Sequence, residues 1–247
     1  MMALSLIDLF LIALICLALP IESWVAVKLA ERHMDKGPSR ARSWLYAYSI
    51  VSLWVIAGLA LWLGIIHQGR SLADFGFGWP AGWRGQLPWA LALIATGPFL
   101  YYWLRITRQA DARKAVREAI DASGGYNPII ARNRSEFCQF LGLGFTAGVT
   151  EEVIFRAYLL MLFAMVMPLW LAVLLALIAF CLPHAYQGMI GVIQSFVMGA
   201  VLTGIVLLGG SIWPAVLLHI AVDWLGALIN WTLVKTEPED ALHANPS

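Results

Sequence analysis

The sequence predicts an all-α fold, a polytopic transmembrane helical bundle of about seven to eight spans. Three observations predict it. The 247 residues are 61% hydrophobic and only 13% charged, with a mean hydropathy of +0.77, whereas a soluble domain carries about 25% charged residues. Several apolar runs reach the ~20 residues that a helix needs to cross a bilayer. None alternates in the manner of β-barrel strands, which span with about 9–11 residues. The same composition excludes a secreted soluble enzyme and a disordered chain. With 16 Lys plus Arg against 15 Asp plus Glu, no basic excess points to a nucleic-acid partner. The lipid bilayer is the expected surrounding.

The apolar runs fall at roughly 3–27, 44–66, 87–104, 137–162, 166–183, 189–209 and 212–234. The first begins almost at Met1 without a basic stretch before it, which reads as a retained span rather than a cleaved signal peptide. The connections then orient the chain. The first loop holds Lys28, Arg32, Lys36, Arg40 and Arg42, and the third holds Arg105, Arg108, Arg113, Lys114, Arg117, Arg132 and Arg134. The loop between them holds only Arg70 and Arg84. The positive-inside rule puts loops 28–43 and 105–135 in the cytoplasm and the chain in the cell (inner, cytoplasmic) membrane. Residues 105–123 alternate charge with Ala, Val and Ile, which predicts a basic amphipathic helix on the membrane surface, ended by Gly124 and Gly125. Such a helix either holds its neighbours in place or gates a substrate. The tail from Glu237, with Pro238 and Pro246, is expected to fray. Cys16, Cys138 and Cys181 have no paired spacing and read as small buried hydrophobes. Trp44, Trp83, Trp89, Trp213 and Trp231 suit interfacial anchoring.

The chain divides accordingly into three segments: N-terminal helices with basic loops over 1–136, a second set of helices over 137–234, and a polar tail over 235–247. From Phe137 to Val234 the only formal charges are Glu151, Glu152, Arg156 and Asp223, and the only histidines are His184 and His219. A charge at mid-membrane costs at least about 2.5–3.5 kcal/mol, so such groups point to a functional site. Glu152 and Arg156 share a helix face and can pair. Glu151 is turned about 100° away and can face a cavity. His219 and Asp223 again share a face. Pro183 removes a backbone donor just before His184 and can open a pocket around its ring. A Glu with a His can activate water, and a second His can hold an oxyanion. The same atoms can hold Zn²⁺, with Glu151, His184 and His219 as the ligands if a metal is present. Residue type does not separate the two chemistries.

What is missing also discriminates. There is no His-Glu-x-x-His helix and no P-loop. There is no Gly-x-Gly-Asp pair, and Ser195 and Ser211 have no catalytic neighbour.

Glu151-Glu152-Val-Ile-Phe-Arg156, Phe180-Cys-Leu-Pro-His184 and His219-Ile-Ala-Val-Asp223 stand in this order on successive apolar helices. Together they resemble the Glu-Glu-x-x-x-Arg, Phe-x-x-x-His and His-x-x-x-(Asn/Asp) motifs of the CPBP family. That family comprises the CAAX proteases and bacteriocin-processing (Abi) enzymes, and the resemblance covers about residues 137–234. It implies an intramembrane endopeptidase acting on membrane-associated peptides, CAAX-like or leader peptides among them. It implies Glu151 as the base with His184 as partner, and His219 and Asp223 at the oxyanion. It gives Glu152 and Arg156 a supporting role and packs Phe180 near the site. The family has been read both as a metalloprotease and as a metal-free, glutamate-based protease, and the metal-free reading is preferred here. Two positions depart from the pattern: Ala157 stands where Gly is usual, and Asp223 where Asn is common. An ionised Asp only accepts hydrogen bonds, so Asp223 suits orienting His219 or binding a metal better than donating to an oxyanion.

Two other functions fit the same residues: a non-catalytic membrane immunity or scaffold protein, and a proton-coupled transporter. One conflict is internal to the reading. The predicted boundaries put His184 and His219 at different depths, and a shared site requires them to converge.

Overall fold

The computed structural model describes residues 4–79, 82–122 and 130–236. Helices dominate, and no strand occurs among the described residues. We number them α1 (Leu6–His33), α2 (Pro38–Ile66), α3 (Gly82–Arg108), α4 (Ala110–Ala122), α5 (134–166), α6 (Leu169–Cys181), α7 (Gly188–Gly209) and α8 (Trp213–Lys235). Their ends are set by local chemistry. Ser5 and Asp8 form a reciprocal capping box at the start of α1. Pro38 opens α2, where its missing N–H is no loss. Asn133 caps α5 by accepting from the Glu136 N–H at 2.9 Å. Gly210, at φ 63°, ends α7 in the left-handed conformation. The expected surface helix is α4; its predicted glycine stop and the C-terminal tail lie outside the described residues. Arg117 of α4 reaches the end of α8, donating to the Leu233 carbonyl at 2.8 Å.

The span count needs correction. Five helical segments among the described residues are long and apolar enough to cross a membrane: Leu6–His33, Pro38–Ile66, Gly85–Arg108, Leu169–Gly209 and Trp213–Lys235. The predicted spans 166–183 and 189–209 are arms of one apolar segment of 41 residues, because only a 3₁₀ turn separates α6 from α7. The predicted span 137–162 belongs to α5, which carries Glu136, Glu151, Glu152 and Arg156 and is too polar to face lipid. It does not need to. Over 152–160 α5 widens into a π-helix in which every residue is buried. Neighbouring helices cover it, with α2 and α8 packed along its first half and α2 and α6 against the π-helical part. The protein is a multi-pass membrane protein built around this one charged helix. One cysteine also departs from expectation: Cys181 is buried, but Cys138 lies exposed on the outer face of α5.

Charges in the wrapped interior are paired across long sequence distances. Near the start of α5, Arg42 of α2 grips Glu136 through two bonds of 2.8 and 3.2 Å. Burial pushes the Glu136 carboxyl up. The bonds from Arg42, Ser39 and the Arg132 N–H outweigh burial and hold it below the usual carboxylate range. At the other end, Arg70 grips the fully buried Asp8.

Close contact between α5 and α8 depends on Gly148. A Cβ there would stand 2.5 Å from Ile220 Cγ1 and 2.8 Å from the Ile220 backbone nitrogen. Backbone cannot yield as a side-chain tip can. Gly148→Ala is therefore expected to force the helices apart and cost about 1–3 kcal/mol. The check is a lowered Tm in detergent, and α8 would carry His219 away from α5 at the same time.

Candidate functional site

Three segments bring the predicted residues together. The middle of α5 supplies Glu151, Glu152 and Arg156. The end of α6 supplies Phe180, and the turn after it His184. The first half of α8 supplies His219 and Asp223. Pro183 has no N–H to give, and the chain tightens into a 3₁₀ turn over Leu182–Gln187 that stops at Gly188, φ 76°. His184 sits in this turn with Nδ1 2.9 Å from the Phe180 carbonyl. A carbonyl only accepts, so Nδ1 carries the proton and Nε2 is left for the cavity.

His219 is more tightly set. Its Nδ1 lies 2.8 Å from Glu152 Oε1, and the same oxygen accepts from Arg156 at 2.9 Å. Arg156 also donates to the Gly199 carbonyl at 3.3 Å and stacks over the Phe180 ring at 4.1 Å. Phe180 in turn meets His184 and His219 at ring-centre distances of 5.1 and 6.3 Å. A line of contacts thus runs from Arg156 through Glu152 to His219, with Phe180 filling the space beside it. The far nitrogen of His219, Nε2, faces two more carboxylates: Glu151 Oε2 at 3.8 Å and Asp223 Oδ2 at 3.9 Å. Glu151 Oε2 is buried and has no hydrogen-bond partner.

Glu151, His184, His219 and Asp223 all line one cavity of about 650 Å³. The two histidines therefore share a site, although the predicted boundaries 166–183 and 212–234 lie within a few residues of α6 and α8 as found. No hydrogen bond or ion pair joins Glu151 directly to His184. Glu152 is absent from the cavity wall, yet it does more than brace its helix: it holds the imidazole of His219. Sequence spacing paired Glu152 with Arg156 and stopped there, because its partner on α8 is 67 residues away. Glu152 meets Nδ1 of His219 and Glu151 stands near Nε2, so the two adjacent carboxylates approach the ring from its two sides.

Among the described residues no three His, Cys, Asp or Glu side chains are arranged to hold a metal ion. The Nδ1 atoms of His184 and His219 are committed to the Phe180 carbonyl and to Glu152, which leaves their Nε2 atoms toward the cavity.

Residues 133–225 match the family model of the Rce1-like proteins, described as type II CAAX prenyl endopeptidase Rce1-like. The matched stretch contains all three motifs and agrees with the resemblance drawn from them. No curated protein and no solved structure matches the chain.

Proposed function

We propose that this chain, through its Rce1-like residues 133–225, is an intramembrane endopeptidase that hydrolyses peptides by water activated on Glu151. One observation carries the reading. Glu151 lines a cavity, and one of its carboxylate oxygens, buried and unpartnered, stands 3.8 Å from an imidazole nitrogen whose ring is fixed from behind. The substrates we assign to it are membrane-associated peptides of the CAAX-like or leader type. Loops 28–43 and 105–135 are assigned to the cytoplasmic side of the cell membrane.

The reaction runs in two proton transfers. Glu151 removes a proton from water as the oxygen attacks the scissile carbonyl. It then returns that proton to the leaving amine. The bare Nε2 of His184 accepts the other proton of the attacking water in a hydrogen bond and so orients it. His219, when protonated, donates from both nitrogens: Nδ1 to Glu152 and Nε2 to the developing oxyanion. Glu152 and Arg156 position this ring without touching substrate. Asp223 Oδ2 stands 3.9 Å from Nε2, beyond hydrogen-bond reach in the resting site. It accepts from that nitrogen only when the ring shifts toward it, a role that orients the ring and that an amide oxygen can also fill. Asp223→Asn is expected to keep activity within about tenfold of wild type, and Asp223→Ala to lose about 10²-fold, as kcat changes on a purified peptide substrate.

The test of function is terminal-peptide mass spectrometry on membranes holding wild type or Glu151→Gln at matched expression. Fragments present only with wild type are the expected result, and they would also identify the substrate. Identical fragment sets, with both proteins folded, would refute the protease reading in favour of a non-catalytic membrane protein.

A further inference from the structure

The cavity does not stop at the candidate catalytic groups. It runs on between α1, α2 and α8, where Glu22, Ser23, Ser49, Ser52 and Asn230 form its wall. Glu22 lies inside the first membrane-crossing helix. An ionisable side chain there is costly and marks a ligand path more readily than a packing contact. Its polar neighbour is the hydroxyl of Tyr48, which is uncharged. The wall as a whole holds three carboxylates, Glu22, Glu151 and Asp223, and no Lys or Arg among the described residues. Glu151 and Asp223 are occupied with His219. Glu22 has no such cation.

We propose that Glu22 is a specificity-determining residue that receives a Lys or Arg side chain of the peptide held in this cavity. A cation entering beside Glu22 replaces its missing counter-charge in a water-poor wall, where a charge-assisted hydrogen bond is strong. The serines and Asn230 supply hydrogen-bonding partners for peptide backbone along the same wall. Binding at Glu22 stands independently of the protease reading; only the cleavage of the bound peptide rests on it.

The experiment uses full-length protein in nanodiscs of zwitterionic lipid, which removes charge effects of the membrane. The probes are labelled decapeptides of one apolar sequence with Lys, Gln or Glu at one central position. Binding is read by anisotropy in the Glu151→Gln background, and cleavage in the wild type. The Lys peptide is expected to bind about tenfold more tightly than the Glu peptide. Adding Glu22→Gln should shrink that ratio to within about twofold, and Glu22→Lys should invert it. Glu22→Asp keeps the charge and should keep the preference. Equal binding of the three peptides to protein with Glu22 intact, or no binding at all, overturns the proposal even where a Glu22 variant fails to fold. An unchanged ratio in folded Glu22→Gln overturns it as well. A Lys preference without cleavage of any peptide supports this site and counts against the protease. Cleavage with no charge preference does the reverse.

Discussion

Glu151→Gln is expected to abolish peptide hydrolysis, by a factor of at least about 10²–10⁴, while the protein folds as before. The side chain keeps its size, but an amide cannot take a proton from water. Little else should change, because Glu151 Oε2 has no hydrogen bond to lose. That oxygen stands 3.8 Å from His219 Nε2, beyond hydrogen-bond reach. Stability should therefore stay within about 0.5 kcal/mol of wild type. Glu152→Gln offers the contrast. It also lowers activity, because His219 loses the carboxylate that fixes its ring. Unlike Glu151, it leaves the buried Arg156 without its counter-ion, and breaking a buried pair costs about 3–5 kcal/mol. Kinetics and thermal melts on the two variants thus separate a base from the residue that positions its neighbour. Full activity of Glu151→Gln would sink the mechanism.

That contrast marks how far the sequence could be read. The all-helical membrane fold was legible because hydropathy acts locally, one span at a time. The three motifs were legible because nearly every other charge is missing from residues 137–234. Span number was not, because hydropathy cannot tell a helix facing lipid from one wrapped in protein. The polar α5 belongs to the second kind, and the short turn Leu182–Gln187 leaves α6 and α7 as arms of one apolar segment. π-winding over 152–160 is set by packing around a fully buried segment, which no periodicity announces. Pairs such as Arg42–Glu136 and Arg70–Asp8 join residues 94 and 62 positions apart. Only the folded bundle brings them together.

The Asp8 cluster carries the second large effect. Asp8 is fully buried. Arg70 donates to both of its oxygens at 2.6 Å, Tyr158 to Oδ1 at 3.0 Å and Gln68 to Oδ1 at 3.2 Å, while Ser5 closes the capping box. Asp8→Ala should destabilise the protein by about 3–5 kcal/mol, because it strands a guanidinium whose side chain is only 8% exposed. Replacing both partners, Asp8→Leu with Arg70→Met, should recover most of that loss, since an apolar pair leaves no unpaired charge. Melting curves of both single variants and the double variant, closed as a cycle, measure the coupling directly. The double variant also isolates what the cluster does for chemistry. Tyr158 lies in the π-helical stretch that begins at Glu152, and its hydroxyl ties that stretch to α1. If the tie fixes where that stretch stands beside His219, the double variant will be stable yet cleave more slowly than wild type. Equal stability with undiminished cleavage would instead assign the cluster to holding α1 alone.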